Sequence, residues 1–313
     1  MVKPRHGEDS PGSTAASPWP VDATAVPKRA HAPGAEWLYA KLYCDVALAD
    51  RVLVEDVAPV VAHLRATGAI ESWFFVRHVD AEPHLRLHLR GEPRRLSADA
   101  LAALTEAGGC AVDGGRMSRF AFDTYVRDAE RYGGDEGIIL CEELFHADSE
   151  AAVAVLGALA GEADAPGPAW KLALCGVDLM LDDLGMNRAA VGWTRLRRDA
   201  IARELPSPAP LHALGDRFWQ ERDGLVELRQ LARSTGALQH PALAALRRRS
   251  ERFAAVGAAL SRLDRAGWLA APFGDVVASL VRMHVNRVLR SQHLLHEYVV
   301  LDFLHRLRYA EAA

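Results

Sequence analysis

The stretch from His84 to Arg90 alternates polar and apolar side chains without interruption. Successive side chains of a β-strand point to opposite faces of the sheet, so this alternation predicts a strand with two unlike faces. Three leucines occupy one face and are predicted to lie on a hydrophobic core. From the alternation alone, a solvated surface is the plain interpretation of the other face. That face carries His84, Arg86, His88 and Arg90.

The hydrophobic period changes along the chain from mixed in the first half to helical in the second. Strands are predicted at 37–44, 70–78, 84–90 and 119–126, with helices at 48–65 and 96–107. This order is β-α-β-β-α-β, the ferredoxin-like order, with the two consecutive strands antiparallel. Gly68 is predicted to end the first helix. Further helices are predicted at 137–159, 170–184, 188–203, 211–232, 241–266 and 273–309.

The chain is therefore predicted to have an α+β fold, with an N-terminal mixed or antiparallel sheet, packed helices and a following helical lobe. Residues 1–34 are rich in Pro, Ala, Ser and Gly and show no hydrophobic period, so they are predicted to form a disordered tail. The remaining residues, 35–313, are predicted to form one domain with an α+β lobe at 35–134 and a mainly helical lobe at 135–313. A cleft between two such lobes is a common place for a binding site.

Composition excludes several classes of protein. No apolar run approaches the roughly 18 residues that a membrane-spanning helix needs, and the N-terminus lacks the apolar region of a secretory signal. A cytoplasmic location without membrane attachment is therefore expected. The net charge of -4 does not favour binding to nucleic acid. The four cysteines have no CxxC spacing, which argues against a zinc ribbon and a disulfide framework.

Neighbouring strands carry further cationic and aromatic side chains. If Arg77 in the second strand shares a face with Arg86 and His88, the three form a cationic cluster with aromatic neighbours. Arginine binds carboxylates through two parallel hydrogen bonds, and histidine transfers protons near neutral pH. Such a surface suits a small anionic group better than a phosphate backbone.

Two later segments also contain candidate site residues. The stretch from Tyr125 to Gly134 ends in two glycines, which permit a sharp turn and a close backbone approach to a ligand. Arg131 in this stretch is a candidate ligand-binding residue or a surface partner of Asp128 or Glu130. His284 lies in an apolar helical stripe, which is typical of a buried, hydrogen-bonded histidine. If it lines a cleft instead, burial would favour its neutral, basic form.

Other motifs predict no metal or nucleotide cofactor. His293, His296 and Glu297 lack a convincing further ligand for a metal ion. There is no GxGxxG before a helix, no P-loop and no GxSxG sequence. The run Arg247-Arg248-Arg249 is predicted to be a solvated helical face, with attraction of a polyanion left open as the alternative.

Three of these segments, taken in order, resemble a known family. They are Trp73-Phe74-Phe75-Val76-Arg77 leading into Pro83-His84-Leu85-Arg86-Leu87, Tyr125-x-x-Asp128-x-x-Arg131-Tyr132-Gly133-Gly134, and Met283-His284-Val285-Asn286-Arg287. Over residues 36–305 the chain resembles the thiopeptide-type bacteriocin biosynthesis domain, the C-terminal glutamate-elimination domain of lantibiotic dehydratases.

The resemblance implies an enzyme that expels glutamate from glutamylated Ser or Thr of a precursor peptide, leaving dehydroalanine or dehydrobutyrine. It implies Arg86, Arg131 and His284 as catalytic residues, without a cofactor. The expected partners are the ribosomal precursor peptide and a separate glutamylating dehydratase subunit, with a homodimer left open. The residues that we expect to bind substrate are Arg77, His84, His88, Tyr125 and Asp128.

The chain departs from the family pattern at two positions. His88 stands where a second arginine is common, and Asp128 stands where glutamate is usual. A related set of free-standing proteins forms the pyridine core of thiopeptides by a formal aza-[4+2] cycloaddition of two dehydroalanines, with loss of the leader peptide. That reaction is the second hypothesis. The third is a non-catalytic scaffold that binds the leader peptide.

Overall fold

The computed structural model describes residues 27–161, 168–206 and 211–312. Within these ranges the strands are β1 (Ala30–His31), β2 (Trp37–Tyr43), β3 (Ser72–Val79), β4 (Pro83–Arg90), β5 (Arg119–Asp123) and β6 (Tyr125–Val126). The helices are α1 (Ala49–Arg51), α2 (Ala58–Ala66), α3 (Pro93–Arg95), α4 (Leu101–Asp113), α5 (Gly134–Ala160), α6 (Ala169–Asp183), α7 (Ala190–Glu204), α8 (Leu211–Arg233), α9 (Pro241–Arg265), α10 (Phe273–Val288) and α11 (His293–Ala312). Short π-helical segments, Val52–Val57 and Leu96–Ala100, join α1 to α2 and α3 to α4.

Four strands form an antiparallel sheet in the spatial order β3-β4-β2-β5. With the helices between them, they follow the ferredoxin-like order, so the predicted α+β class is confirmed. Gly68, with a φ of 70°, follows the first helix as predicted. The predicted strand at 119–126 is interrupted at Thr124, and β6 leaves the sheet to pair with β1.

Strand β1 lies inside the segment that we predicted to be a disordered tail. It pairs with β6, and the neighbouring Arg29 donates hydrogen bonds to Asp135 at 2.8 Å and Glu130 at 2.5 Å. The folded chain therefore begins before residue 35, and its first strand holds the loop that carries Arg131. A two-residue strand has no detectable period, which explains the wrong boundary. The rest of the predicted tail, residues 1–26, lies outside the described residues.

The apolar face of the sheet is the one that the leucines of β4 predicted. Leu85, Leu87 and Leu89 are all buried in the hydrophobic core. On the same face, the ring of Phe120 in β5 lies directly against Gly108 of α4. A side chain at Gly108 would meet that ring, so the glycine sets the distance between helix and sheet.

Side chains of α5 and α10 bind the free edge of β3. The backbone N–H of Phe75 donates to Ser149 Oγ at 3.2 Å, and that of Arg77 donates to Asn286 Oδ1 at 2.9 Å. In return, Asn286 Nδ2 donates to the Arg77 carbonyl and Arg287 Nε to the Phe75 carbonyl, both at 2.9 Å. Buried backbone groups without partners are costly, so these bonds fix both helices against the sheet.

The long helix predicted at 273–309 is in fact two helices. The chain turns between α10 and α11, where Gln292 has a φ of 50°. Near the end of α10, the carbonyl of Arg287 accepts hydrogen bonds from the Arg77 guanidinium at 3.1 and 3.2 Å. The carbonyl of Leu289 accepts from His293 Nε2 at 2.9 Å. Neither Pro nor Gly marks this break in the sequence, so the helical period alone did not indicate it.

The other helices begin and end close to the predicted residues, except that α4 continues to Asp113, beyond the predicted end at 107. α5 packs against β3 on one side and against α9, α10 and α6 on the other. It therefore connects the sheet to the helical part of the chain. Across the three described ranges, we find no helix that combines the length and the apolar character needed to cross a lipid bilayer.

Candidate functional site

A cavity of about 830 Å³ lies between the polar face of the sheet and helices α5 and α10. The strands β2, β3 and β4 form its floor, and the loop after β5 forms one wall. Its volume is in the range of small-molecule sites. The predicted site residues that line it are Arg77, Arg86, His88, Tyr125, Asp128 and Arg131. His84 and His284 do not line it.

His88 lies flat between two aromatic rings in the floor of the cavity. Its ring centroid is 4.5 Å from that of Tyr39 and 4.2 Å from that of Phe74, with nearly parallel planes. Burial, reinforced by the charge of Arg86, lowers the pKa of His88 to about 3. The imidazole is therefore neutral at physiological pH. The prediction that His88 belongs to a cationic cluster is therefore wrong. Stacking between two aromatic rings shields the histidine from water, and this favours its neutral form.

Arg86 faces the cavity from β4 and forms no ion pair with any carboxylate of the described residues. Its Nε donates to His84 Nε2 at 3.4 Å, and His84 Nδ1 contacts the Glu82 carbonyl at 3.0 Å. His84 is thus a buried support for Arg86. It does not line the cavity, although we had expected it to bind substrate. On β2 opposite Arg86, Lys41 is bound to Asp123 at 2.6 Å. Arg86 is consequently the cation of this face that is free to bind an anion.

His78 also lines the cavity, although the sequence did not single it out. It lies opposite His84 in the β3–β4 pair, and its ring forms no hydrogen bond with the rest of the described chain. Burial, followed by the charge of Arg86, lowers the pKa of His78, so the neutral base form dominates near pH 7. Segment 73–76 is apolar on both faces, so its pattern did not show which alternate residues face the cavity.

Arg131 borders the cavity from the loop between β6 and α5. Its Nη1 is 3.9 Å from Asp128 Oδ2, and its Nε donates to Ser279 Oγ at 3.4 Å. Both contacts are long, and the side chain is well exposed. An ion pair of this kind is weak in water, so the guanidinium can turn toward a ligand. The loop therefore brings Arg131 and Asp128 together at the rim, a surface pairing that the sequence left open beside a ligand-binding role.

The two glycines after Arg131 serve the turn rather than a ligand. Gly133 and Gly134 have φ values of 86° and 88°, which favour glycine. A Cβ at Gly133 would lie 2.8 Å from Leu269, and the Gly133 carbonyl accepts a hydrogen bond from Ala270 N at 3.0 Å. The close approach that we predicted is therefore made by residues 269–270 and not by a bound molecule.

Tyr125 forms an aromatic wall of the cavity, and its hydroxyl is already hydrogen-bonded within the protein. Its ring stands edge-on to His88, with centroids 4.7 Å apart. The hydroxyl donates to Glu142 Oε1 at 2.9 Å, and Glu142 also binds the Arg127 guanidinium at 2.7 Å. Burial, with the added effect of Glu142, raises the pKa of Tyr125 far above its ordinary value. The phenol is accordingly a fixed, neutral surface.

Arg77 borders the cavity but does not join Arg86 on one face, which corrects the predicted cluster. In the β3–β4 register, Arg77 lies opposite Leu85, whereas Arg86 lies opposite Val76. The Arg77 guanidinium binds Asp50 at 2.5 Å and the carbonyl of Arg287. Its charge is therefore matched in the protein, and it holds α1 and the end of α10 to the sheet.

His284 is buried among the helices and does not line the cavity, as its apolar helical stripe indicated, whereas the family resemblance implied it as a catalytic residue. Its Nδ1 donates to Asp148 Oδ1 at 2.7 Å, since a carboxylate can only accept. Burial lowers the pKa of His284 despite the opposing effect of Asp148, so the ring is neutral. Arg249, predicted to be solvated, is also buried and donates to Asp148 at 2.7 Å.

The histidines at the start of α11 are not arranged around a common centre. His296 Nδ1 contacts the Ser291 carbonyl at 2.9 Å, and Glu297 is buried in ion pairs with Arg197 and Arg282. Among all described residues, no group of three or more His, Cys, Asp or Glu side chains is placed to hold a metal ion.

Comparison with known proteins gives one family and three informative relatives. Residues 37–308 match the family described as lantibiotic biosynthesis dehydratase C-term. The nisin biosynthesis protein NisB of Lactococcus lactis subsp. lactis is 30% identical over 129 residues, which are 40% of this chain and 12% of NisB. The chain thus matches only about an eighth of the length of this relative.

Two solved structures share the fold. The tRNA-dependent lantibiotic dehydratase MibB from Microbispora sp. 107891 superposes with a TM-score of 0.72 and 23% identity, over 89% of this chain and 28% of MibB. The pyridine synthase TbtD from thiomuracin biosynthesis superposes with a TM-score of 0.60 and 14% identity, over 88% of this chain and 98% of TbtD. Since the family match extends over nearly the whole described fold, the chain belongs to the lantibiotic dehydratase C-terminal family.

Proposed function

We propose that this chain eliminates glutamate from glutamylated Ser or Thr side chains of a ribosomally made precursor peptide. Membership of the lantibiotic dehydratase C-terminal family supports a role in maturing such peptides. The specific reaction is supported by two side chains that line the cavity from adjacent strands. Arg86 is a cation without an ion-pair partner among the described residues, and His78 is a neutral base.

The elimination needs a base and an acceptor for negative charge. A base removes the Cα proton of the glutamylated residue, the Cβ–O bond breaks, and its electrons leave on the glutamyl carboxylate. His78 is the group that takes the proton, because its lowered pKa keeps it unprotonated. Arg86 and Arg131 bind the departing carboxylate, which a guanidinium matches in shape and charge. The product is dehydroalanine from Ser or dehydrobutyrine from Thr.

In this proposal, the ester is formed elsewhere. A separate glutamylating protein modifies the peptide, and the chain receives the glutamylated product. The elimination step is acid–base chemistry in which nothing is oxidised or reduced. Neither a nucleic acid nor a redox cofactor takes part in that step.

Pyridine formation is the second candidate, and the environment of His88 favours it. The floor of the cavity is uncharged at this point, because His88 is neutral and stacked between Tyr39 and Phe74. A flat aromatic floor suits a ring-forming substrate that carries no anion. The cation at Arg86 has no comparable role in that reaction, and we therefore rank elimination first.

Two synthetic peptides separate these functions. The purified chain is incubated with a glutamyl-Ser precursor peptide and, separately, with a peptide that contains two dehydroalanines. Loss of glutamate from the first peptide supports elimination. Cyclisation of the second, with release of the leader, supports pyridine formation instead. Binding of either peptide without any change in mass would support the non-catalytic scaffold and contradict both reactions.

A further inference from the structure

A buried network of charged side chains lies behind the cavity, between α5, α9 and α10. Its centre is Asp148, which accepts hydrogen bonds from Arg249 at 2.7 Å, from His284 at 2.7 Å and from Arg287 at 2.8 Å. All four side chains are at most 2% exposed. Although burial alone would raise it, the pKa of Asp148 is held far below its ordinary value by His284, Arg249 and Arg287.

Arg287 is the member of this network that reaches the cavity. Its Nη1 binds Asp148, and its Nε donates to the Phe75 carbonyl at 2.9 Å. The third nitrogen, Nη2, is buried and has no partner in the part of the chain that the structure describes. A buried guanidinium nitrogen without an acceptor is costly, so this position calls for an external acceptor.

The surroundings of Arg287 indicate which ligand would fill that position. The guanidinium lies 5.4 Å from the centre of the Phe145 ring, and Phe145 stands edge-on to Phe74 in the cavity floor. The positive charge of Arg287 also acts on His88 and Tyr132, which line the same cavity. A cation that two protein acceptors hold in a fixed orientation at a cavity wall is suited to a carboxylate.

We propose that Arg287 binds a carboxylate of the substrate through Nη2, and that His284 is a positioning residue acting through Asp148. The identity of this ligand as the glutamyl group rests on the proposed function. His284 neither lines the cavity nor has a free path to a substrate, since its Nε2 is enclosed beside Gly176. Its contribution is to hold Asp148, and Asp148 in turn fixes the plane of the Arg287 guanidinium.

The test measures binding of free L-glutamate to the purified chain by calorimetry, and KM and kcat with the glutamyl-Ser peptide. Arg287→Lys keeps the charge but removes the forked donor. We expect it to weaken glutamate binding and raise KM by about ten- to a hundredfold, the usual effect of losing a hydrogen bond to a charged group. The matched control is Arg308→Lys, since Arg308 is also buried and bound to an aspartate, Asp178, but does not line the cavity.

His284→Asn tests the positioning role. It should raise KM and weaken glutamate binding, while the pH profile of kcat keeps the inflection of the wild-type protein. A positioning role is wrong if that inflection disappears, because the histidine would then be the proton carrier. Circular dichroism confirms that each variant is folded before its constants are compared.

The outcomes separate this inference from the proposed function. If the wild-type chain binds L-glutamate, Arg287→Lys does not, and no peptide loses glutamate, then the binding site stands and the elimination reaction fails. If the wild-type chain eliminates glutamate and Arg287→Lys matches it in KM and in glutamate affinity, the inference about Arg287 is overturned. Absence of L-glutamate binding to the wild-type chain at millimolar concentration would overturn it as well.

Discussion

Gly176 leaves the space that the ring of His284 occupies: a Cβ placed on Gly176 would lie 2.1 Å from His284 Nε2. The two residues belong to α6 and α10, and the glycine lets these helices enclose the histidine. Because this contact involves a ring held by Asp148, the ring cannot move aside without disturbing the buried arginines. The absence of a side chain at residue 176 is therefore a requirement of the network behind the cavity.

Gly176→Ala should destabilise the protein by about 2–3 kcal/mol, because overpacking a filled interior outweighs the gain in helix propensity. Urea denaturation followed by circular dichroism measures the change in the free energy of unfolding. Gly109→Ala in α4 is the matched control, since nothing lies within 4 Å of its added Cβ. The control should be neutral or stabilising by up to about 1 kcal/mol. Equal effects of the two substitutions would contradict the packing that we describe.

His78→Gln should lower kcat for glutamate release by about 10²- to 10⁴-fold, the usual contribution of a general base. The pKa of His78 is lowered by its burial and by Arg86, so the wild-type rate should fall only below pH 6.5, where the ring becomes protonated. The residual rate of the variant should lack this acidic limb. Steady-state kinetics between pH 5 and 8 supply both readouts.

His63→Gln is the control for that experiment, because His63 is exposed on α2 and does not line the cavity. It should retain the wild-type rate and pH profile. An acidic limb that persists unchanged in His78→Gln would assign the base to another group.

Arg86→Gln should reduce kcat/KM by about a hundredfold or more, since the departing carboxylate loses its charge-assisted hydrogen bonds. Arg90→Gln is the matched control: Arg90 lies on the same strand and the same face, but it does not line the cavity. Its activity should remain within about twofold of wild type, as is usual for a substitution outside the site. Comparable losses of activity in both variants would mean that the effect comes from disturbing strand β4 and not from removing the cation in the cavity.

Asp183 should make stability depend on pH. Burial raises the pKa of Asp183 from 3.8 to about 6, and its Oδ2 has no partner in the described chain. The unfolded chain loses this proton first, so the folded state loses stability as pH rises from about 4 to 6 and then reaches a plateau. Asp183→Asn removes that loss and should stabilise the protein by about 1–3 kcal/mol at pH 7. Denaturation at pH 4.5 and 7 checks the direction of this effect. Stabilisation by Asp183→Asn that is larger at pH 4.5 than at pH 7 would contradict the assignment.

The sequence predicted the faces of β4 correctly but not those of β3. In β4, leucines alternate with histidines and arginines, so burial of the leucines fixes the face on which the polar residues lie. In β3, residues 73–76 are apolar on both faces, because one face packs on the core and the other forms the aromatic floor. Only the register with β4 shows that His78, and not Arg77, shares the face of Arg86.

Local sequence patterns did not predict the buried network around Asp148, and the reason is a different one. An apolar stripe correctly indicated that His284 is buried, but its partner Asp148 is 136 residues away along the chain. The run of three arginines at 247–249 has the composition of a solvated surface, yet Arg249 turns inward to the same aspartate. Sequence periodicity reports which faces are apolar, whereas pairing between distant charged groups is decided by the tertiary fold.

The most direct test of the central claim is the fate of a glutamyl-Ser peptide incubated with the purified chain. Mass spectrometry of the peptide and an assay of free glutamate are followed together over time. Elimination predicts equal amounts of glutamate and of dehydroalanine peptide, formed by the wild-type chain and strongly reduced in His78→Gln and Arg86→Gln. Release of glutamate with recovery of the serine peptide would reveal ester hydrolysis, and that result, or an unchanged peptide, would contradict the account.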